Sequence, residues 1–501
     1  MKSNILFILI DSFRADYFYE HKKSFSTPNI DRLIKNGVYC KQSISCADGT
    51  AVAMGGIFTG LYPVKTGISS YRFNTTKPTF FAHLQKFDYN IFTTLPHYAG
   101  VDMVLAAFLK KSGDNFQSNF ERLHEGYGED IIKRLSRNDM KKPWFHFLYL
   151  GDLHMSNVTR TMEIPKQFDS EEFGENKFER SISLVDHWLG KFLEKIDLES
   201  TLVIITADHG DYIPISEKRD QDYIPEFTKS VNVTKKVLPK FLWPAAKKFA
   251  KKTRTKIQEK RFDEATKNLT ELEKRSLRTR AGWHLYDDLV RTPLLFCGSN
   301  ISEGKLIKNQ VSSVDIFPTI FDLIGVTQMD EDIDGESFFP LIKDESGRSN
   351  PIYLETASVV KDEMLGKMVG IRTPEFKYFR SRESPKERVH LYNLQNDPLE
   401  ENNLVEINQD MVNNMEKILS NFLVQLNENA SEELSPEEAN IVESELEKKE
   451  EQEEQQLLRD KQKDEEIKKQ IKIDQLQEKQ QKEISHIQDI ANPVANQKGS
   501  G

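Results

Sequence analysis

The sequence is poor in cysteine and has no long hydrophobic run. Its 501 residues include three cysteines, Cys40, Cys46 and Cys297, and no pair has C-x-x-C spacing. This pattern argues against a disulfide framework and against a thiolate zinc site, and it favours a reducing, cytoplasmic compartment. The first apolar run, residues 5–10, stops at Asp11 and is too short for a signal peptide or a membrane span.

Short apolar runs alternate with helical patterns over the first 300 residues. They are rich in β-branched and aromatic side chains and cover residues 5–10, 89–95, 144–150, 201–207 and 292–297. Continuous apolar strands are typical of a sheet that helices cover on both faces. We therefore predict an α/β fold with a doubly wound, mostly parallel sheet, whose functional residues lie beyond the carboxyl ends of the strands.

Carboxylate and imidazole side chains follow two of these runs at the predicted sheet edge. Asp11 follows the first run, and Asp208 and His209 follow the run at 201–207. An isolated aspartate after a strand is as readily a helix cap, and an isolated histidine is as readily a surface residue. Together they predict an oxygen-rich metal site with one imidazole, suited to Ca²⁺, Mg²⁺, Mn²⁺ or Zn²⁺.

Nine segments of the chain resemble, in order, the landmarks of the sulfatase family within the alkaline phosphatase superfamily. Among them are NILFILIDSF at 4–13, FTGLYPVKTG at 58–67, TADHGD at 206–211 and NLQNDPLEENNL at 393–404. The resemblance implies a divalent-metal site, a nucleophile at a helix N-terminus, and attack on a sulfuric or phosphoric ester. It also implies a catalytic domain over 1–345 and a small C-terminal α+β subdomain over 346–428.

The position that the resemblance assigns to the nucleophile holds a threonine. Sulfatases carry there a formylglycine made from Cys or Ser, in a pattern like C-x-P-S-R. Counting back ten residues from Gly60 gives Thr50, whereas Cys46 lies four residues too early and Met54 occupies the arginine position. Threonine cannot be oxidised to formylglycine, so none is expected, and we interpret Cys46 as a small hydrophobic residue of the loop.

An unmodified threonine favours phosphoric esters. A formylglycine hydrate expels sulfate by collapsing to the aldehyde, whereas a threonine ester must be opened by a second in-line attack, which is easier at phosphorus. We expect a hydrolase or phosphotransferase, acting on phosphate mono- or diesters, in which Thr50 is both nucleophile and metal ligand. Two alternatives stay open: a genuine sulfatase, and an inactive binding protein, since Met54 replaces the family's arginine and Ser12 its second aspartate.

Three further histidines are candidates for proton transfer. His154 matches the family histidine that contacts the transferred group or its leaving oxygen, with a purely structural histidine as the alternative. His97 lies loosely where sulfatases carry Lys and His after a strand, and a loop histidine is an equal reading. His284 precedes the sequence LYDD, near the place where many relatives carry a Lys or His that can protonate the leaving group.

Two charged segments extend this plan. Residues 213–280 form a basic insert whose stretch 235–261 is typical of an amphipathic helix on an anionic membrane surface, of a lid over an anionic substrate, or of a helix packed on the domain. The tail, 429–501, predicts a charged helix or weak coiled coil for oligomerisation, or disorder. The substrate is expected to be an anionic ester, of a saccharide or a lipid headgroup. Nucleic acid is not an expected partner, because no nucleic-acid-binding signature accompanies the charge.

Overall fold

The computed structural model describes most of the chain up to residue 427. The described residues are 2–20, 24–69, 73, 75, 77–97, 113–157, 162–216, 243–278, 284–301, 304–326, 333–343, 345, 347, 349–357 and 367–427. The predictions for the tail and for residues 217–242 and 279–280 of the insert lie outside them.

A nine-stranded sheet forms the centre of the described residues, with the order β4-β3-β5-β1-β6-β8-β2-β7 and β9 also paired to β2. Its strands are β1 Asn4–Ile10, β2 Gly37–Ile44, β3 Asn90–Leu95, β4 Asp114–Gln117, β5 Trp144–Leu150, β6 Thr201–Thr206, β7 Arg291–Thr292, β8 Leu294–Gly298 and β9 Lys305–Ser312. The five strands from β4 to β6 in this order run parallel. The prediction of a mostly parallel sheet is confirmed.

Helices cover both faces of this sheet, as the continuous apolar strands predict. The α-helices of the described residues are α1 Pro28–Lys35, α2 Thr50–Thr59, α3 Pro63–Thr66, α4 Phe80–Lys86, α5 Tyr127–Leu135, α6 Asp152–Asn157, α7 Lys177–Leu193, α8 Trp243–Thr266, α9 Glu271–Ser276, α10 Asp287–Val290, α11 Ile316–Leu323, α12 Phe339–Ile342 and α13 Gln409–Asn427. Alternate residues of β1 enter two cores: Ile5, Phe7 and Leu9 pack with α2, α4 and α11. Leu6 and Ile8 pack with α1, α5 and α7.

A second, antiparallel sheet lies within the predicted C-terminal subdomain. It consists of β10 Ile352–Glu355, β11 Met368–Arg372, β12 Phe376–Ser381 and β13 His390–Asn393, paired in chain order. Helix α13 packs against it through Met415 and Leu419. A parallel bridge between Ala47 and Glu355 joins this sheet to the loop before α2.

Two parts of the architecture depart from the sequence prediction. Strand β8, predicted with the parallel set, runs antiparallel to β6 and β2. Strand β2 was not predicted, because its sequence GVYCKQSI mixes small, polar and apolar residues. Helix α8 coincides with the predicted amphipathic stretch from Trp243 onward. None of the helices that the structure describes combines the length and apolar character needed to span a membrane.

Candidate active site

Asp11 is the first residue after β1 and is buried at the edge of the central sheet. Its backbone N–H donates to the carbonyl oxygen of Leu150, the last residue of β5, at 2.9 Å. Ser12 follows with a φ of 63°, in the left-handed region that non-glycine residues adopt at an energetic cost. The chain therefore turns sharply as it leaves the sheet.

Hydroxyl groups bind both carboxylate oxygens of Asp11. Ser12 Oγ donates to Oδ1 at 2.7 Å, and the Tyr149 hydroxyl donates to Oδ2. Burial raises the pKa of this carboxyl, but the adjacent imidazoles of His154 and His209 and the hydrogen bonds outweigh burial. The pKa of Asp11 therefore lies well below its usual range, and the side chain is ionised at neutral pH.

Asp208 and His209 follow β6 in a tight turn. Asp208 Oδ1 accepts from the backbone N–H groups of Ser12, at 3.3 Å, and of His209, at 2.8 Å. Gly210 continues the turn so close to the chain that a Cβ would lie 2.1 Å from the carbonyl oxygen of Asp288. Only glycine fits there, because any side chain would collide with the backbone of α10.

The turn also fixes the tautomer of His209. Nδ1 lies 2.8 Å from the carbonyl oxygen of Gly210, which only accepts, so Nδ1 carries the hydrogen. In the neutral ring, Nε2 then presents its lone pair to the cluster, 3.1 Å from Thr50 Oγ1 and 3.3 Å from Asp208 Oδ2. This orientation is the one that a metal-binding histidine requires.

Thr50 is the first residue of α2, and Gly49 precedes it in an extended conformation. The loop before it is fixed to the second sheet: the backbone N–H of Ala357 donates to Asp48 Oδ1 at 2.6 Å. The N–H groups of the first helical turn, next to Thr50, favour an anion at this end of the helix. The hydroxyl of Thr50 thus lies beside both the helix N-terminus and the acidic cluster.

The residues present fit a divalent cation. Ligand atoms of Asp11, Asp208 and His209 all lie within 4.8 Å of one another. Both carboxylates are buried, so two negative charges converge where water cannot compensate them. Two carboxylates, an imidazole and a hydroxyl form a donor set that zinc and other divalent ions bind.

His154 borders the cluster and is more exposed than its neighbours. Its side chain is 13% exposed, against 2% for Asp11 and 0% for His209. Nδ1 lies 3.3 Å from Ser12 Oγ, and the single hydrogen of that hydroxyl is donated to Asp11. The imidazole Nδ1–H therefore donates to Ser12 Oγ.

The structure does not bring the other two predicted histidines to this cluster. His97 is exposed just beyond β3, where its backbone N–H donates to the carbonyl oxygen of Phe120 at 2.9 Å. The His284 ring packs 5.1 Å from that of Tyr286 and 5.5 Å from that of His390. Burial, and then the neighbouring positive groups, lower the pKa of His284 well below its ordinary value, so it is a poor proton donor at neutral pH.

Cys46 and Met54 belong to the hydrophobic core. Cys46 is fully buried, its Sγ lies 2.5 Å from where a Cβ on Gly56 would be, and burial raises its thiol pKa to about 12. Met54 packs in the core beneath the sheet, where it cannot contact a substrate anion. The interpretation of Cys46 as a small hydrophobic residue agrees with this position.

Sequence reasoning missed the contacts of Tyr149 and Ser12. Tyr149 is hidden inside the apolar run WFHFLYL, although it is paired with Leu9 one step before the end of both strands. A hydroxyl at that step of a buried strand was the available signal. Ser12 was noted only for the aspartate that it replaces.

A buried Asp-Asp-His cluster beside a helix N-terminus, at the carboxyl edge of a doubly wound sheet, defines a sulfatase-like α/β fold and site. The family model named Sulfatase matches residues 3–326, and the model of the N-sulphoglucosamine sulphohydrolase C-terminal region matches residues 281–429. The first match covers more than half of the chain, and the chain belongs to the sulfatase family.

The chain is also similar to curated proteins named arylsulfatase K. The Xenopus laevis protein is 28% identical over 145 residues, which are 28% of this chain and 27% of that protein. The Homo sapiens protein is 27% identical over 125 residues, which are 24% of this chain and 23% of that protein. The matched segment therefore spans about a quarter of the length of these relatives.

Solved structures share the fold over most of the chain. A 2-O GAG sulfatase has a TM-score of 0.59 at 16% identity, covering 85% of this chain and 93% of that one. Phosphonate monoester hydrolase of Agrobacterium radiobacter has a TM-score of 0.57 at 14% identity, covering 85% and 96%. BT4656, in complex with its substrate D-glucosamine-2-N,6-O-disulfate, has a TM-score of 0.57 at 13% identity, covering 86% and 99%.

Proposed function

We propose that this protein is a metal-dependent hydrolase or transferase of phosphoric esters that uses Thr50 as its nucleophile. One observation carries the proposal: Thr50 Oγ1 lies 3.1 Å from His209 Nε2, inside the acidic cluster. The alternative nucleophile, Cys46, is buried with a raised thiol pKa and cannot supply a thiolate.

The roles of the other residues follow from their positions. Asp11, Asp208, His209 and Thr50 would hold the divalent ion. When bound, the ion supplies Lewis acidity that lowers the pKa of the hydroxyl and offsets charge on the transferred group. The N-terminus of α2 adds backbone N–H groups for an oxygen of that group. His154 borders the cluster and is more exposed than Asp11 and His209, and we assign it to proton transfer.

The chemistry balances without a cofactor other than the ion. Thr50 Oγ1 forms a bond to phosphorus as the bond from phosphorus to the ester oxygen breaks. The proton that Thr50 loses is transferred to the leaving alkoxide. Water, or an acceptor alcohol in a transferase, then attacks the phosphothreonine and restores the hydroxyl. His154 is the proposed carrier of the proton in each half.

A sulfuric ester hydrolase is the second candidate, and the names of the curated relatives favour it. Arylsulfatase K is the name of the matched proteins, and one structural neighbour binds a sulfated glucosamine. Another neighbour is named phosphonate monoester hydrolase, so this fold serves an ester of phosphorus as well as esters of sulfur. A sulfated saccharide is therefore the alternative substrate to compare with a phosphoric ester.

A substrate screen tests the proposal. The purified protein, loaded with a single metal at a time, is assayed against p-nitrophenyl phosphate, bis-p-nitrophenyl phosphate and p-nitrophenyl sulfate. We expect kcat/KM to be highest for a phosphoric ester. Faster turnover of the sulfate would favour the second candidate, and absence of turnover with every metal would favour a binding protein without catalysis.

A further inference from the structure

Ser12 occupies a position from which it contacts both carboxylates of the cluster. Its N–H donates to Asp208 Oδ1 at 3.3 Å, and its Oγ donates to Asp11 Oδ1 at 2.7 Å. The side chain is fully buried, and the backbone is in the left-handed region. Because Ser12 is buried, has a strained backbone and contacts two candidate metal ligands, we expect its side chain to affect how the site binds a metal ion.

These contacts limit how each carboxylate can bind an ion. Asp208 Oδ1 already accepts two backbone N–H groups, so Oδ2, which lies 3.3 Å from His209 Nε2, is the oxygen that faces the cluster. Both oxygens of Asp11 accept from hydroxyls, Oδ2 from Tyr149 and Oδ1 from Ser12, and Oδ1 is the oxygen that lies 3.6 Å from His209 Nε2 in the cluster. Each carboxylate is therefore arranged to offer one oxygen rather than two.

The donor count that follows is small and includes nitrogen. One oxygen from Asp11, one from Asp208, Nε2 of His209 and Oγ1 of Thr50 make four donors. Ca²⁺ takes roughly six to eight oxygen ligands and often uses bidentate carboxylates, whereas Zn²⁺ is satisfied by about four donors that include imidazole. The two carboxylates also balance a divalent charge, and a third carboxylate would leave an excess of negative charge.

We propose that the neutral side chain at position 12 sets the metal selectivity of this site. Because Ser12 offers a hydroxyl that is already donated to Asp11, and not a carboxylate, the site lacks the oxygens and charge that Ca²⁺ needs, and it binds Zn²⁺ more tightly than Mn²⁺ or Ca²⁺. The inference rests on the proposed metal site but not on the identity of the substrate. It concerns binding selectivity, which is measurable without any turnover.

The test measures metal affinity of the full-length protein after treatment with a chelator. Isothermal titration calorimetry gives Kd for Zn²⁺, Mn²⁺ and Ca²⁺, and only the binding that Asp208→Asn abolishes is assigned to this site. We expect wild-type protein to bind Zn²⁺ at least roughly 100-fold more tightly than Ca²⁺, since imidazole and few donors favour the transition metal. Equal or tighter Ca²⁺ binding by the wild type would overturn the proposal.

Two matched substitutions separate charge from size. Ser12→Asp adds a carboxylate, and Ser12→Asn adds a side chain of the same size without charge; both residues tolerate the left-handed backbone better than most. We expect Ser12→Asp to narrow the ratio of Ca²⁺ to Zn²⁺ dissociation constants about 10-fold or more through added oxygen ligands. Ser12→Asn should keep the ratio. An unchanged ratio in a folded Ser12→Asp protein would refute the role of Ser12.

Ser12→Gly keeps the test decisive if Ser12→Asp fails to fold. Glycine relieves the backbone strain at a φ of 63° and removes the hydroxyl without adding a ligand. It should bind Zn²⁺ more weakly than the wild type and still prefer Zn²⁺ to Ca²⁺, and a shift of preference to Ca²⁺ would contradict the proposal. Zn²⁺ selectivity without turnover of any ester would instead refute the proposed function and leave this inference standing.

Discussion

Two buried groups of charged residues in this protein compensate their charge in opposite ways. At the junction with the second sheet, Asp288 pairs with Arg14 and Arg275, each at 2.6 Å. At the edge of the central sheet, Asp11 lies against hydroxyls and imidazoles instead. The first group carries its own cations, whereas the second brings carboxylates together in an arrangement that a bound cation would complete. Burial of charge alone does not mark a functional site; the kind of partner does.

The largest effect is expected at the proposed nucleophile, Thr50. Thr50→Ala should reduce turnover by several orders of magnitude, because a covalent route loses its only acceptor, while Thr50→Ser should retain part of it. Cys46→Ala is the control and should have little effect. A slow substrate should leave a phosphate on Thr50, detectable by mass spectrometry after acid quenching.

One pair of results would contradict the assignment of Thr50 as the nucleophile. An active Thr50→Ala protein together with an inactive Cys46→Ala protein would show that the cysteine is the nucleophile after all. The difference in charge compensation between the two groups would remain, but Cys46 would replace Thr50 as the nucleophile.

Removing one charge from the edge cluster should abolish its response to metal. Asp208→Asn is expected to lose the rise in melting temperature that metal gives the wild type. In chelator, it should be at least as stable as the wild type, since repulsion between buried carboxylates is relieved. Differential scanning calorimetry measures both. Asp88→Asn, at an aspartate whose side chain is 90% exposed, is the control. Destabilisation of Asp208→Asn in chelator would mean that the charges of the cluster are already compensated without a metal ion.

Removing one charge from the junction should have the reverse effect. Asp288→Asn removes the carboxylate that Arg14 and Arg275 share, although Arg14 keeps its ion pair with Asp16, and it should lower the free energy of unfolding by about 3 kcal/mol. Urea denaturation measures this loss, with Asp88→Asn again as the control. Metal affinity should be unchanged in the folded variant. A variant as stable as the wild type would show that the two arginines find other partners.

Tyr149→Phe should have a moderate effect on the metal and a small one on stability. It leaves Asp11 Oδ2 without its hydroxyl donor, so metal affinity should fall about 10-fold, as for other groups that orient a ligand. The free energy of unfolding should fall by about 1 kcal/mol. Titration calorimetry and urea denaturation report the two quantities. Unchanged metal affinity in Tyr149→Phe would show that Tyr149 contributes to packing and not to metal binding.

A further test concerns Asp152, a buried carboxyl that belongs to neither of the two charged groups. Burial raises its pKa to about 7, while the Leu123 N–H bound to Oδ1 partly lowers it. The folded state therefore binds this proton more tightly than the unfolded state, and its contribution to stability falls as pH rises from about 4 to 7. Asp152→Asn should remove that loss. Unfolding midpoints at pH 5 and pH 8 measure it, and parallel shifts of both proteins would contradict it.

The sequence predicted the parts of the site that lie at strand ends. Asp11, Asp208 and His209 follow apolar strands that are recognisable alone, and parallel neighbours must end at one edge. Thr50 was found by counting along the family pattern. The expectation for His284 was based on its distance along the chain from a motif, but its ring packs against Phe379 and His390, about a hundred residues later. Such contacts depend on tertiary packing that no local pattern records.

The hydrogen bond between Ala357 and Asp48 has a consequence for synthesis of the protein. Its two residues are 309 positions apart in the chain. At typical translation rates of about 5 to 20 residues per second, the loop before the proposed nucleophile waits roughly 15 to 60 s on the ribosome before this contact can form. A nascent chain that already contains Thr50 therefore lacks one of the restraints of the finished site, and we expect catalytic competence to arise only after Ala357 has been synthesised.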